Sequence, residues 1–258
     1  MSDLRVALVQ ADLHWEDSPA NLQRLGELLE KHPPACDLLV LPEMFSTGFS
    51  MHPEKFATTE QGPEVVWMMS QAKKWECQLA GSLMIKEGSS FVNRLLVVNE
   101  QGVMARYDKR HLFSMAGENQ KYQAGNTRVI HEIQGWRINL QICYDLRFPV
   151  WARNRGDYDV LLYVANWPSK RVYAWKQLLV ARAIENQCYV AGVNRVGLDG
   201  NGIPHVGASR LVDPMGEVIG EMELDEGILT ANFSKNYLNE IREKLPFLQD
   251  RDDYNLME

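Results

Sequence analysis

No stretch of the chain approaches the ~20 consecutive apolar residues that a helix needs to cross a bilayer. The apolar run near the start, in MSDLRVALVQAD, is too short for a signal-peptide core and is preceded by an acid at position 3. Basic residues are in the minority, 27 Lys and Arg against 34 Asp and Glu, for a formal net charge of −7. That is the wrong sign for a surface that tracks phosphates, so no nucleic-acid partner is expected, and without a spanning stretch no membrane partner is expected either. The four cysteines include no C-x-x-C pair and the six histidines no H-E-x-x-H; neither a disulfide framework nor a metal site is read from them. Linkers rich in Gly, Ser or Pro are missing, as are fixed-period repeats. What remains is the expectation of a cytoplasmic globular chain with reduced thiols and no cofactor.

The 258 residues, 45% of them apolar, can bury roughly three quarters of their unfolded surface, and one domain spanning 1–258 is expected. Short apolar runs alternate with helical patterns throughout. Strands are predicted over 5–11, 37–41, 79–85, 92–99, 103–108, 128–133, 137–142, 160–165, 189–194, 209–212, 217–222 and 227–233. Helices are predicted over 20–31, with Ser18 as N-cap and Pro19 in its first turn, and over 64–77, 150–154, 173–187 and 235–244. Residues 197–202 (GLDGNG) read as a loop and not as a dinucleotide fingerprint, since no strand–helix turn surrounds them. Hairpins mixed with helices do not fit a pure βαβ alternation. The fold class is α/β, with helices covering one mixed sheet or two such sheets back to back.

Chemistry is concentrated where buried strands end. LLVLPE closes on Glu43, VMARYDK on Lys109, and INLQICYD carries Cys143. Groups at strand ends are held rigidly and open onto clefts. A free thiol, with a pKa of ~8.5, is only a few per cent thiolate at neutral pH and needs a base. No His lies near Cys143 in sequence. Glu43 sits among apolar residues and Pro, where burial raises a carboxyl toward the working pH, so it can serve as that base. A Lys ammonium would stabilise the oxyanion of a tetrahedral intermediate.

LLVLPEMFSTGF, YDKRHLF followed by GE, and LQICYDLRFP resemble the three catalytic blocks of the nitrilase superfamily of carbon–nitrogen hydrolases. ALVQ, VANWP, ARAIENQCYV and DPMGEVI extend the likeness over almost the whole chain. KRHLFSMAGE and CYDLRFPVWARN are most similar to the ω-amidase branch, which hydrolyses the terminal amide of 2-oxoglutaramate and 2-oxosuccinamate. The resemblance implies Glu43 as general base, Lys109 as oxyanion stabiliser, Cys143 as nucleophile and Glu118 as the second glutamate that positions substrate and the Lys. It implies the backbone N–H of Tyr144 as the rest of the oxyanion hole. It further implies a four-layer α-β-β-α sandwich of two mixed sheets, and a homodimer with a contact near the helix over 173–187.

The substrate would be a small amide. An oxo-acid amide needs its carboxylate held, and Arg147, four residues after the nucleophile, offers a bidentate guanidinium. The competing reading pairs Arg147 with an internal carboxylate such as Asp145. Phe45, Phe113 and Trp167 are candidate pocket walls, with the competing reading that aromatics at strand ends pack in the core. Alternatives within the superfamily are hydrolysis of N-carbamoyl amino acids, aliphatic amides or nitriles, and outside catalysis a silent binding member. His111 is assigned a structural or loop role, and Cys36, Cys77 and Cys188 are read as inert. The S-x-x-K match at Ser70–Lys73 is read as helix surface.

Overall fold

The computed structural model describes residues 3–256. The apolar runs build two six-stranded mixed sheets. In spatial order the first contains Gly227–Phe233, Leu4–Gln10, Leu38–Val40, Gln78–Glu87, Ser90–Asn99 and Gly102–Asp108. The second contains Val218–Glu221, Arg210–Val212, Tyr189–Val193, Val160–Val164, Trp136–Ile142 and Ile130–Ile133. Each has three parallel strands within it and antiparallel strands to either side.

Side chains alternate across a strand, so one run serves two cores. Leu4, Val6 and Leu8 face the second sheet and share a core with Ile138, Leu140, Leu162 and Val164. Ala7 and Val9, between them, face helices Ser18–Lys31 and Pro63–Lys74 through Leu25, Leu29, Val65 and Met68. On the far side of the second sheet, Leu161, Tyr163 and Val190 meet Trp175, Leu179 and Ala183 of helix Val172–Asn186. The result is a four-layer α-β-β-α sandwich. No helix among the described residues is long and apolar enough to cross a membrane.

Two local expectations are corrected. Ser18 is not the N-cap of the first helix: Asp17 is, its carboxylate accepting from the Ala20 amide at 3.1 Å. The Ser18 hydroxyl instead donates to Glu64 Oε1 at 2.6 Å, joining the two helices of that layer. Residues 197–202 do not form a plain loop, because they include the end of Val196–Leu198, which pairs with Pro204–Val206 in a two-stranded ribbon. The strands are three residues each and contain Gly197 and Pro204, which hides their alternation. At the ribbon's tip only a glycine fits, since a Cβ on Gly200 would meet the Trp15 indole at 2.3 Å.

Candidate active site

Four strand ends converge on one cavity of about 320 Å³. Glu43 follows Leu38–Val40, Lys109 follows Gly102–Asp108, Cys143 follows Trp136–Ile142, and Asn166 follows Val160–Val164. Each of the four contributes to the cavity wall. The chain turns sharply at two of these ends: Met44 and Cys143 both have φ of 44°, in the left-handed region that side chains rarely adopt. Such residues cost of order 1–3 kcal/mol each and persist where surrounding structure holds them. Around Cys143 the holding group is Asp145, whose carboxylate accepts from the Ile142 amide at 3.0 Å.

Glu43, Lys109 and Glu118 are fully buried, whereas Cys143 is partly exposed. Lys109 Nζ lies 2.9 Å from Glu43 Oε1 and 3.0 Å from both oxygens of Glu118. Asn93 Nδ2 donates to Glu43 Oε1 at 2.8 Å and to Glu118 Oε1 at 3.3 Å. The second oxygen of Glu43 accepts from the Asn166 amide at 2.9 Å, and Glu118 accepts from the Phe113 amide at 2.5 Å. Glu118 does not itself reach the cavity; it stands behind Lys109.

The charges follow from this packing. Burial works against a charged Lys109, but Glu118 and Glu43 outweigh it and raise the ammonium's pKa above the usual lysine range. Burial pushes the Glu118 carboxyl up against the pull of Lys109. Burial and the negative charge of Glu43 push the Cys143 thiol well above its ordinary value, against the opposing effect of Lys109. Both influences favour the protonated thiol at rest.

Tyr144, Phe113, Arg147 and Trp167 also line the cavity. The Arg147 guanidinium lies 5.0 Å above the Trp167 ring. It is not paired with Asp145, which is occupied by the Tyr107 hydroxyl at 2.7 Å and by the His111 amide at 2.9 Å. The Nδ1 of His111 adds a contact of 2.8 Å to the same carboxylate, and its ring stacks on Phe148 at 3.7 Å, away from the cavity wall.

Phe45 is not a pocket wall. It is fully buried beneath the helical layer, 5.9 Å from the Trp67 ring. The turn at Met44 sends it to the far face of the sheet, where it fills the space over Gly81; a Cβ there would lie 2.9 Å from the Phe45 ring. Cys36 and Cys77 are buried in the core beneath the helical layer. Cys188 is fully buried, which pushes its thiol up. Ser70 and Lys73 lie exposed on their helix.

Sequence reasoning does not single out Asn93, Asn166 or Arg171 as site residues, nor the ribbon that brings Asp199 and His205 to the cavity. His205 is buried there, and burial together with the charge of Arg195 lowers its pKa to about 4, which leaves a neutral imidazole. Asn166 carries a signal, since an apolar strand halts at Asn166-Trp167-Pro168. Asn93 and Arg171 carry none.

The sequence model of the carbon-nitrogen hydrolase family matches residues 5–243. The chain is 48% identical over 258 residues to omega-amidase YafV of Escherichia coli K12, covering 99% of this chain and 100% of that protein. It is 32% identical to the 2-oxoglutaramate amidase of Bacillus subtilis, covering 95% of this chain and 96% of that one. Among solved structures, XC1258 from Xanthomonas campestris, described as a CN-hydrolase superfamily protein with an arsenic adduct in the active site, superposes with a TM-score of 0.97 at 44% identity over 100% of both chains.

Proposed function

The chain belongs to the carbon–nitrogen hydrolase family, and we propose that it is a thiol-dependent amidase, a single hydrolase domain releasing ammonia from a small ω-amide of the 2-oxoglutaramate or 2-oxosuccinamate type. The observation that carries the reading is the buried Lys109–Glu43 contact of 2.9 Å at the cavity end where Cys143 is partly exposed. A base, a cation and a thiol are thereby held around a space that admits a carbonyl carbon.

In this mechanism Glu43 takes the proton of Cys143 as the sulfur attacks the amide carbon. The Lys109 ammonium and the Tyr144 backbone N–H receive the charge that develops on the carbonyl oxygen. Glu43 returns the proton to the departing nitrogen, ammonia leaves, and a thioester remains. Water then gives a proton to Glu43 and attacks the thioester carbon, which frees the acid and restores the thiol. Glu118 keeps Lys109 in place from behind, and Asn93 and the Asn166 amide fix the two oxygens of Glu43.

The substrate class rests on the likeness to the two named amidases and on Arg147, which lines the cavity. A planar guanidinium stacked on an indole is preorganised for a carboxylate. Ammonia release from 2-oxoglutaramate, glutamine and an N-carbamoyl amino acid tests the reading in wild type and Cys143→Ala. Turnover of 2-oxoglutaramate well above the other two, lost in the variant, is the expected result. Faster turnover of either other compound overturns the substrate class, and an active Cys143→Ala overturns the chemistry.

A cytoplasmic homodimer is part of the same reading. Helix Val172–Asn186 exposes Tyr173 at 76% and Ile184 at 52%, apolar surface suited to a second copy. Light scattering should return twice the chain mass of 29.5 kDa, and a monomer at micromolar concentration refutes the dimer.

A further inference from the structure

The mouth of the cavity holds a second guanidinium. Arg171 lies 5.0 Å over the Phe113 ring, as Arg147 lies 5.0 Å over that of Trp167, and all four residues line the cavity. The two supports are connected, because Trp167 Nε1 donates to the Arg171 carbonyl at 2.8 Å. The wall that carries one arginine therefore fixes the backbone of the other. Stacking on aromatic faces limits the freedom of each guanidinium and leaves its N–H edges open.

Among the described residues neither guanidinium has a hydrogen bond or ion pair, whereas Arg94, Arg137 and Arg242 are each matched to carboxylates. Deeper in the site Lys109 faces two glutamates. The other acid on the outer wall, Asp199, accepts from the Asn201 and Ile203 amides at 2.8 and 2.9 Å and so is committed to its own turn. A net charge of −7 makes two unmatched cations at one opening more conspicuous.

We propose that Arg171 is a specificity-determining residue that binds the substrate's carboxylate end together with Arg147. The inference rests on the amidase reading and deepens it. One carboxylate offers two oxygens and more lone pairs than a single guanidinium edge uses, so two arginines can share it. The same pair disfavours an amino acid amide such as glutamine, whose ammonium would lie beside two cations, and favours a 2-oxo acid, which has none.

The test uses Arg171→Met and Arg171→Lys with two readouts. One is KM for 2-oxoglutaramate. The other needs no turnover: the concentration of 2-oxoglutarate that halves the rate at which iodoacetamide alkylates Cys143. Both should rise roughly tenfold or more in Arg171→Met and by less in Arg171→Lys, with the loss falling mainly on KM. Alkylation without 2-oxoglutarate reports that the site is intact in each variant. Values within about twofold of wild type for both readouts in Arg171→Met overturn the proposal. Should wild type fail to hydrolyse 2-oxoglutaramate while its protection by 2-oxoglutarate depends on Arg171, the substrate reading falls and the assignment of Arg171 stands.

Discussion

Asp145 ties the turn that carries Cys143 to the strand that ends at Lys109, accepting the Tyr107 hydroxyl at 2.7 Å on one oxygen and the His111 amide at 2.9 Å on the other. Tyr107 also accepts from Trp151 Nε1 at 3.0 Å, so the link is buried and shared by three segments. Through it, the nucleophile and the cation are held by one carboxylate that touches neither.

Asp145→Asn keeps the shape but replaces an acceptor with a donor facing N–H or O–H groups. It should cost about 2–4 kcal/mol of stability, as buried unmatched polar groups do. Its effect on activity should fall on kcat, because the Cys143 turn loosens without loss of a substrate contact. Tyr107→Phe, which removes the hydroxyl and leaves Asp145 its other partners, should cost about 1–2 kcal/mol. Urea denaturation and steady-state kinetics of the two variants check this, and an Asp145→Asn protein as stable as wild type would refute the linkage.

Phe45 and Phe113 separate core from cavity. Phe45→Ala empties space between Gly81 and Trp67 and should lose about 3–5 kcal/mol of stability while KM of the folded fraction changes little. Phe113→Ala removes a cavity wall and the support of Arg171, and should raise KM while costing less stability. Thermal unfolding beside KM for both variants decides the matter; a KM effect confined to Phe45→Ala would reverse the placement.

The same pair marks how far the amino-acid sequence alone reaches. Glu43, Lys109 and Cys143 are legible in it because each follows a buried strand, and strand ends are local features. The strands are legible too, as apolar runs, but which face meets the second sheet is not, since Val6 and Leu8 on one face and Ala7 and Val9 on the other are all apolar. Phe45 misleads because its direction depends on the left-handed turn at Met44, where φ is 44° in a residue that is not glycine. Asn93 lies inside an ordinary strand and meets Glu43 across 50 residues of chain, a contact that only the sheet's pairing creates. Arg147 has two candidate uses until Tyr107 and His111 claim Asp145. Arg171 looks like any surface base until Phe113 is placed beneath it.

In the proposed mechanism Glu118 acts on the chemistry chiefly through Lys109, which it holds at 3.0 Å. Glu118→Gln removes one of the two negative charges that keep the buried ammonium in place. Lys109 should then shift toward Glu43, and kcat should fall by roughly 10²–10³, the range for loss of one oxyanion-stabilising donor. KM should move much less, since Glu118 does not reach the cavity. Rapid-mixing measurement of the ammonia burst locates the loss in acylation. A variant that loses affinity but keeps its acylation rate would show that Glu118 contacts substrate after all.

Asp159 makes stability depend on acid. It is buried and accepts from Arg137 at 2.9 Å, Lys235 at 2.6 Å and Arg242 at 2.8 Å, joining strand Trp136–Ile142 to helix Lys235–Lys244. Burial alone would raise its carboxyl, but the hydrogen bonds and charges of Arg137 and Lys235 prevail and hold it well below the usual carboxylate range. The unfolded chain protonates this group near pH ~3.9. A carboxyl depressed in the folded state contributes its full stabilisation above that pH and loses it as the pH falls toward the folded value. Asp159→Asn should therefore cost about 3–5 kcal/mol at neutral pH, the range for breaking a buried ion pair. The gap from wild type should narrow below about pH 4, where wild type gives up the same charge. Urea denaturation of both proteins from pH 7 downward checks the sign, and a gap that stays constant or widens in acid would show that the ion pairs of Asp159 do not hold this end of the fold.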